Sequence, residues 1–337
     1  MPVWTKVSGT WRSVPEIQLK ISGTWRFTNQ SWVKVSGTWR SVFVGNFGVF
    51  GGGYGNTLLS TIDYIIITTL GNATSFGNLT LARYELAATS NGTNGRGVFG
   101  GGWDGEYAFS TIDYITITTP GNATLFGYLR EENYGLAATS NGTNNRGVFG
   151  NSVGIEYITI TTPGNAAFFG YLYTNRDDLA ATSNGTNNRG VFGGGYRTGG
   201  GVSTIDYITI TTTGNASFFG YLTVGRLNLA ATSNGTNNRG VFGGGINDIG
   251  GSFISTIDYI TITTTGNAAS FGRLTSAKRD LAATSNGTND RGVFGGGINA
   301  SGNISTIDYI TITTTGNAST FGYLTVARFG LAAASNA

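Results

Sequence analysis

The chain repeats one unit six times, and this repetition restricts the folds that are open to it. The triplet Gly-Val-Phe begins at Gly48, Gly97, Gly147, Gly190, Gly240 and Gly292. Each copy then continues into a version of Ser-Thr-Ile-Asp-Tyr-Ile-Thr-Ile. A unit of this size cannot bury its apolar surface alone, so such units stack into arrays or rings.

Each unit contains four candidate β-strands. In one complete unit they cover residues 86–91, 96–102, 111–118 and 122–126. The third is rich in Ile, Thr and Tyr, which favour a pleated strand. Asn-Gly between the first and second is a strong hairpin signal. The first carries Ala-Ala, which suits a crowded central axis. We therefore expect one four-stranded antiparallel sheet per unit.

The phase of the repeat predicts a closed ring. The first Gly-Val-Phe, at Gly48, has no Leu-Ala-Ala segment before it, whereas the last such segment, residues 331–336, has no unit after it. In a ring, this last segment supplies the strand that the first unit lacks. The expected fold is all-β: a six-bladed β-propeller over residues 43–337 with four-stranded blades, its C-terminal strand closing the first blade.

Residues 1–42 carry a different repeat, in which Ser-Gly-Thr-Trp-Arg occurs three times. Each copy predicts a strand, a Ser-Gly turn and a second strand, so this segment is expected to be a small module of three β-hairpins. Five of the six tryptophans lie here: Trp4, Trp11, Trp25, Trp32 and Trp39. Isolated hairpins are only marginally stable in water, so these pack on one another or attach to another protein. Both interpretations remain open.

The composition argues against several functions. The chain has no cysteine and no histidine, which removes disulfides, zinc sites and histidine-based catalysis. We expect no metal site, no cofactor and no enzymatic activity. The net charge of +3 is too small to indicate a nucleic-acid partner. The start has no apolar signal-peptide core, and no stretch approaches the ~20 apolar residues of a membrane span, so neither secretion nor a membrane partner is expected.

The connections between strands predict one uniform face and one variable face. The connections between strands one and two, and between strands three and four, hardly change among the repeats, whereas the other two kinds diverge and carry aromatic rings. Binding residues concentrate on variable loops of a rigid scaffold, so this face is the candidate receptor-binding surface. The alternative is that these loops diverged by drift and have no binding role. The candidate residues are Tyr54, Arg83, Tyr84, Trp103, Tyr107, Tyr134, Arg176, Tyr196, Arg197, Arg226, Phe253, Lys278 and Arg328.

The third strands carry a regular set of acids: Asp63, Asp113, Glu156, Asp206, Asp258 and Asp308. We expect them to form structural ion pairs with the basic residues that precede the first strands, since six acids spread around a disc do not converge on a calcium ion. A second basic set is expected to stabilise turns or form a docking surface: Arg96, Arg146, Arg189, Arg239 and Arg291. The acid pairs Glu131-Glu132 and Asp177-Asp178 are typical of solvated loops and not of a glycosidase site.

Two resemblances follow from these residues. The Lys-Val-Ser-Gly-Thr-Trp-Arg hairpins that precede a glycine-rich propeller resemble structural proteins of tailed bacteriophages, in which such hairpins precede tail-fibre or appendage domains. The propeller part resembles kelch-like propellers through its glycine pair after the second strand (Gly51-Gly52), its third-strand tyrosine (Tyr64) and its basic residue before the first strand (Arg83). The third repeat has Gly150-Asn151 in place of the glycine pair.

The resemblance implies a non-enzymatic virion protein, made in the host cytoplasm and exposed to the medium on the phage particle. Its hairpins would attach to other virion proteins through the tryptophans, and its propeller would bind a host-surface glycan or protein. A purely structural decoration or appendage subunit of capsid or tail is the alternative, and a glycan-degrading enzyme is a weaker third. The oligomeric state stays open, with a homo-oligomer among the options.

Overall fold

A computed structural model shows two compact units, residues 1–45 and 46–337. It describes the backbone of residues 3–7, 10–14, 18–21, 24–27, 31–35 and 38–42, and residues 46–90, 95–140, 145–183, 188–233, 238–248, 251–285 and 290–336. All regular elements in these ranges are β-strands.

The first unit consists of three separate two-stranded antiparallel sheets, as the sequence predicts. The paired strands are Val3–Val7 with Thr10–Val14, Gln18–Ile21 with Thr24–Phe27, and Ser31–Val35 with Thr38–Val42. The side chains of Trp4, Trp11, Trp25, Trp32 and Trp39 lie outside the described part of the structure, so their attachment role stays a prediction.

The second unit is a six-bladed β-propeller whose blades are four-stranded antiparallel sheets. From the axis outward, the strands of blade 1 are Ala332–Ser335, Phe47–Gly51, Thr61–Ile66 and Thr74–Asn78; those of blade 2 are Ala87–Ser90, Arg96–Gly100, Phe109–Thr116 and Thr124–Asn133; those of blade 3 are Ala137–Ser140, Arg146–Gly150, Ile155–Thr159 and Ala167–Gly170. Those of blade 4 are Ala180–Ser183, Arg189–Gly193, Thr204–Thr209 and Ser217–Tyr221; those of blade 5 are Ala230–Ser233, Arg239–Gly243, Thr256–Thr261 and Ala269–Arg273; those of blade 6 are Ala282–Ser285, Arg291–Gly295, Thr306–Thr311 and Ser319–Tyr323.

The ring closes as the phase of the repeat predicts. The innermost strand of blade 1 is Ala332–Ser335, which pairs antiparallel with Phe47–Gly51 from the other end of the propeller. Each innermost strand also contacts the innermost strands of both adjacent blades, so the contacts run around the axis without a gap. Ala333 lies opposite Phe50, just as Ala88 lies opposite Phe99 in blade 2. The shared register shows that Ala332–Ser335 pairs in the same way as the innermost strand of blade 2.

The hydrophobic core lies between blades. Phe192 of blade 4, for example, belongs to the same buried cluster as Val148 and Phe169 of blade 3. The sequence explains this packing, because a glycine stands on each side of the Val-Phe pair in the second strand. A Cβ atom on Gly150 would lie 3.0 Å from the ring of Phe192, so the glycine makes room for the phenylalanine of the next blade.

The uniform face is also built from contacts between blades. The turn between strands three and four of one blade covers the outer edge of the preceding blade: Oδ1 of Asn165 accepts from the backbone N–H of Tyr128 at 3.2 Å, and the N–H of Ala166 donates to the Tyr128 carbonyl at 2.8 Å. These turns thereby pair part of an edge strand that would otherwise be open to aggregation.

The second basic set holds neighbouring blades together. Nη1 of each arginine donates to an isoleucine carbonyl of the next blade at 2.8–2.9 Å, as from Arg239 to Ile312. Each guanidinium also stacks on the third-strand tyrosine of its own blade, 4.2–4.8 Å from the ring centroid. These arginines therefore stabilise blade contacts, which is a more specific role than the turn stabilisation expected from the sequence.

Candidate binding site on the loop face

The variable connections lie side by side and form one surface. We call the connection between strands two and three of a blade its loop, and the connection from strand four to the next blade a link. Loops pair with links through isolated β-bridges, such as Trp103 with Tyr84, Tyr54 with Phe329 and Tyr196 with Asp177. The surface made by loops and links is called the loop face below.

The five cations that the sequence placed among the receptor contacts are buried beneath this face. Arg83, Arg176, Arg226, Lys278 and Arg328 are each at most 1% exposed. Each pairs with an aspartate on the third strand of the following blade at 2.7–3.2 Å, giving Arg83–Asp113, Arg176–Asp206, Arg226–Asp258, Lys278–Asp308 and Arg328–Asp63. The expected structural ion pairs are thus confirmed for these five. Side chains with no exposed surface cannot touch a ligand, so we leave them out of the binding surface.

The aspartates also bind the links through hydrogen bonds. Oδ1 of Asp258 accepts from the hydroxyl of Thr223 at 2.7 Å, and Oδ2 accepts from the Thr223 backbone N–H at 3.1 Å. Burial lowers the pKa of Arg226, and the facing carboxylate of Asp258 offsets part of that effect. Removing one partner would leave the other charge buried and unpaired, which typically costs about 3–5 kcal/mol. The pairs therefore fix each link against its blade.

Blade 3 lacks this ion pair and has hydrogen bonds in its place. Asn133 stands where the other links carry a cation, and its Oδ1 accepts from Nδ2 of the buried Asn151 at 2.5 Å. Glu156 replaces the aspartate and accepts from the backbone N–H of Arg130 at 2.8 Å. Burial raises the pKa of Glu156. The odd Gly150-Asn151 of the third repeat is thus part of a coordinated exchange of three residues, Asn133, Asn151 and Glu156, at the contact between blades 2 and 3.

A closed ring of backbone hydrogen bonds surrounds the propeller axis on the loop face. It is formed by one residue from each link, and each N–H donates to the carbonyl of the preceding link at 2.7–3.0 Å. All six residues have a left-handed backbone, with φ between 54° and 63°. The members of this axial ring are Glu85, Gly135, Asp178, Asn228, Asp280 and Gly330. Gly, Asn and Asp are the residues that tolerate this conformation best.

Three carboxyl groups alternate with neutral residues around the axial ring. Together with the leucines that follow them, the six residues line a depression of about 100 Å³. Burial, reinforced by the neighbouring acids, raises the pKa of Glu85 to about 8 and that of Asp178 to about 7. Burial raises the pKa of Asp280 to about 6, although Arg279 lies 2.6 Å away and acts in the opposite direction. Asp178, expected from the sequence to be solvated, is therefore part of a partly buried ring.

Aromatic side chains form an arc beside the axial ring. The rings of Tyr54, Tyr84 and Phe329 contact one another with centroids 5.6–5.8 Å apart. Trp103 bridges to Tyr84 through the backbone, and its ring lies 4.8 Å from that of Tyr134. These five residues constitute the aromatic arc. Tyr54 and Tyr134 are 36% and 44% exposed, so the arc offers ring surface to a ligand.

The other candidate residues lie on loops outside the arc. Tyr107 is 59% exposed on a loop that Asp104 holds, since Oδ1 of Asp104 accepts from the Tyr107 N–H at 2.6 Å. Tyr196 and Arg197 form a short strand that pairs with Gly200–Gly201. Phe253 bridges to Ile246 in blade 5. The aromatic residues expected from the sequence therefore fall into two groups: those of the aromatic arc, which contact one another, and single residues elsewhere on the loop face.

Sequence reasoning missed the axial ring; it named Tyr54, Tyr84, Trp103 and Tyr134 of the aromatic arc but did not predict that the rings contact one another. The ring residues stand directly before each Leu-Ala-Ala segment, and this position reads Glu, Gly, Asp, Asn, Asp and Gly in chain order. The available signal was that five of the six repeats carry Gly, Asn or Asp at this position, and these are the residues that tolerate a positive φ best.

Within the described residues, no group of three or more Asp or Glu side chains comes close enough to hold a metal ion. No helix in the described part of the chain is long and apolar enough to cross a membrane. No protein-family model matches the chain, and comparison with curated proteins finds no match.

Proposed function

We propose that the chain is a non-enzymatic binding protein of a tailed-phage particle, whose loop face recognises a host-surface glycan or protein. The aromatic arc carries this proposal. Its residues occupy loop and link positions that differ among the repeats, whereas the scaffold beneath them is nearly invariant. Exposed rings next to hydrogen-bonding groups suit the apolar face and hydroxyl groups of a sugar, or an aromatic protein epitope.

The construction of the loop face supports a preorganised site. The arc rests on links that are fixed by the axial ring and, on most blades, by buried ion pairs. The ring contacts within the arc restrict the rotamers of Tyr54, Tyr84 and Phe329 before any ligand arrives. A rigid aromatic surface loses little conformational entropy on binding, so more of the contact energy appears as affinity.

The phage assignment depends on the N-terminal hairpins and their resemblance to hairpins that precede appendage domains. It predicts that the chain is present in purified phage particles. Mass spectrometry of such particles and immunogold labelling of the chain test this directly. Absence from the particle would rule out the virion role, whatever the propeller binds.

The binding role is tested with the full chain and two single variants, Tyr54→Ala and Tyr134→Ala. Binding of the labelled chain to bacterial cells, purified lipopolysaccharide and capsular polysaccharide is measured. The arc variants Tyr54→Ala and Tyr134→Ala are expected to weaken binding about tenfold or more, because truncation of a central aromatic contact typically costs over ~1.4 kcal/mol.

Tyr323→Ala is the matched control. Tyr323 is a half-exposed tyrosine on the outermost strand of blade 6, away from the loop face. Its truncation should leave binding unchanged. Equal binding by wild type, control and both arc variants would contradict the proposal. Loss of cell binding with no binding to either polysaccharide would indicate a protein receptor at the same surface.

A further inference from the structure

A patch of exposed apolar side chains lies on the outer side of blades 2, 3 and 4. Five of its seven members stand on the outermost strands of these blades, and Tyr171 and Tyr173 follow the outermost strand of blade 3; each is 39–58% exposed. We call this surface the apolar rim; its residues are Leu125, Tyr128, Phe168, Tyr171, Tyr173, Phe218 and Tyr221. The loop-face proposal does not use any of them.

The apolar rim is continuous from blade to blade. The guanidinium of Arg130 in blade 2 stacks 5.1 Å from the centroid of the Phe168 ring in blade 3, and Phe168 contacts Tyr171 at 5.1 Å. Tyr173 of blade 3 contacts Phe218 of blade 4 at 5.7 Å, and Phe218 contacts Tyr221 at 5.1 Å. The rings hold one another in place, so ordering them against a partner costs little additional entropy.

Blades 1 and 5 are polar at the same positions of the repeat, and blade 6 keeps only the tyrosine, as Tyr323. Where blades 3 and 4 carry phenylalanine, blades 1 and 5 carry Ser75 and Ser270. Where they carry tyrosine, blades 1 and 5 carry Asn78 and Arg273. The fold thus accepts polar residues at these positions, and packing within the blade does not require the rings.

The size of the patch indicates a protein partner. An aromatic side chain buries about 150–250 Å² when it is fully covered. Seven side chains that are about half exposed therefore present on the order of 600 Å², which is at the upper end of the largest patch on a typical monomer. A specific dimer needs about 800 Å² from each partner, so the rim and a narrow polar border would suffice.

We propose that the apolar rim is the interface of a homodimer, with a second copy of the chain bound through the same surface. Its seven side chains carry no charge, so the centre meets its own copy without repulsion. A two-fold axis through blade 3 places blade 3 against blade 3 and blade 2 against blade 4 of the other copy. Because both copies use the same surface, this contact closes at two copies and does not continue into a fibre.

The mass of the full chain in solution tests the dimer. Sedimentation velocity at tens of micromolar should give a dimer for the wild type. The double variant Phe168→Ser, Phe218→Ser introduces the residue found at the same position in blades 1 and 5, so folding is preserved, and circular dichroism checks this. Its dimer dissociation constant should rise more than a hundredfold. Tyr323→Asn, at the equivalent rim position of blade 6, should leave the constant unchanged.

Engineered thiols locate the interface independently, because the chain has no cysteine of its own. A short bis-maleimide should cross-link Tyr171→Cys into a covalent dimer, whereas Tyr323→Cys should stay uncrosslinked at the same concentration. A monomeric wild type would overturn the proposal. So would a dimer that survives the rim substitutions, or equal cross-linking at both positions, since each would place the contact elsewhere.

Discussion

At the scale of single residues, glycines of the outermost strands allow the backbone of the next blade to approach closely. A Cβ atom on Gly77, Gly127, Gly170, Gly220, Gly272 or Gly322 would lie only 2.0–2.2 Å from a glycine carbonyl oxygen in the turn of the next blade. The approaching atom belongs to the backbone, and that backbone is hydrogen bonded to the same strand, as by the N–H of Gly266 to the carbonyl of Phe219 at 2.9 Å. Neither side can move away without breaking the blade contact.

The substitution Gly220→Ala should therefore be strongly destabilising, by about 3 kcal/mol or more, because the added methyl group overlaps backbone that is held on both sides. Urea denaturation measures the loss. Gly266→Ala is the matched control from the opposite side of the same contact, since a Cβ there has no atom within 4 Å. It should change stability by less than about 1 kcal/mol. Equal losses in the two variants would mean that the glycines serve backbone freedom and not close approach.

The buried ion pairs show how far residue-level prediction from the sequence extends. Acids and bases that recur at fixed positions of a repeat have to lie near one another in a ring, so their pairing could be inferred before any coordinates. Their full burial could not, because it depends on how closely link and blade pack. For that reason Arg226 was expected both in an ion pair and at the surface, and only the first is possible.

At the scale of elements, the closing strand of blade 1 is the one strand whose place cannot be read from local sequence. Strand identities follow from Ile, Thr and Tyr content and from glycine turns, but the pairing of Ala332–Ser335 with Phe47–Gly51 follows only from the phase of the repeats. The apolar rim was missed because Phe-Phe-Gly-Tyr in blades 3 and 4 reads as an ordinary strand with one buried and one exposed side. Its significance appears only when blades 2, 3 and 4 stand next to one another.

Deletion of residues 331–337 should destabilise the whole propeller. It removes the innermost strand of blade 1, exposes the edge of Phe47–Gly51 and takes away Leu331, which packs in a buried cluster with Phe50 and Val293. Loss of a buried leucine alone costs about 2–5 kcal/mol, so the deletion should cost more. Thermal unfolding followed by circular dichroism measures the effect. Deletion of Ala337 alone is the control and should leave the transition in place; an unchanged transition in the longer deletion would show that the ring does not depend on closure.

At the scale of the whole molecule, the axial ring couples the stability of the propeller to pH. Six links meet there, so the charge on Glu85, Asp178 and Asp280 affects all the blades together. Asp177, Arg279 and Tyr84 are the other titratable groups that face these carboxyls. The folded pKa values of about 8, 7 and 6 lie above the ordinary values of about 4 for an unfolded chain.

Stability should therefore be highest near pH 4 to 5 and should fall as the pH rises through 6 to 8, because the folded state holds protons that the unfolded state has released. Urea denaturation at pH 5 and at pH 8.5 measures this difference. Asp178→Asn should reduce it and raise stability at pH 8.5, since Asn228 already occupies an equivalent position with the same backbone conformation. The variant Glu132→Gln, at an exposed position of the outermost strand of blade 2, should keep the full difference. A stability that rises between pH 5 and 8.5 would contradict the assignment.

The two ends of the propeller unit hydrogen bond to each other, with the N–H of Phe47 donating to Oδ1 of Asn336 at 2.8 Å and the N–H of Asn336 donating to the carbonyl of Phe47 at 3.2 Å. The propeller unit is thus a closed ring with a single chain break, and the break lies within blade 1. A permuted chain that joins residue 336 to residue 46 and opens within a link would build all six blades from consecutive strands. The fold therefore does not require the chain break to lie within blade 1.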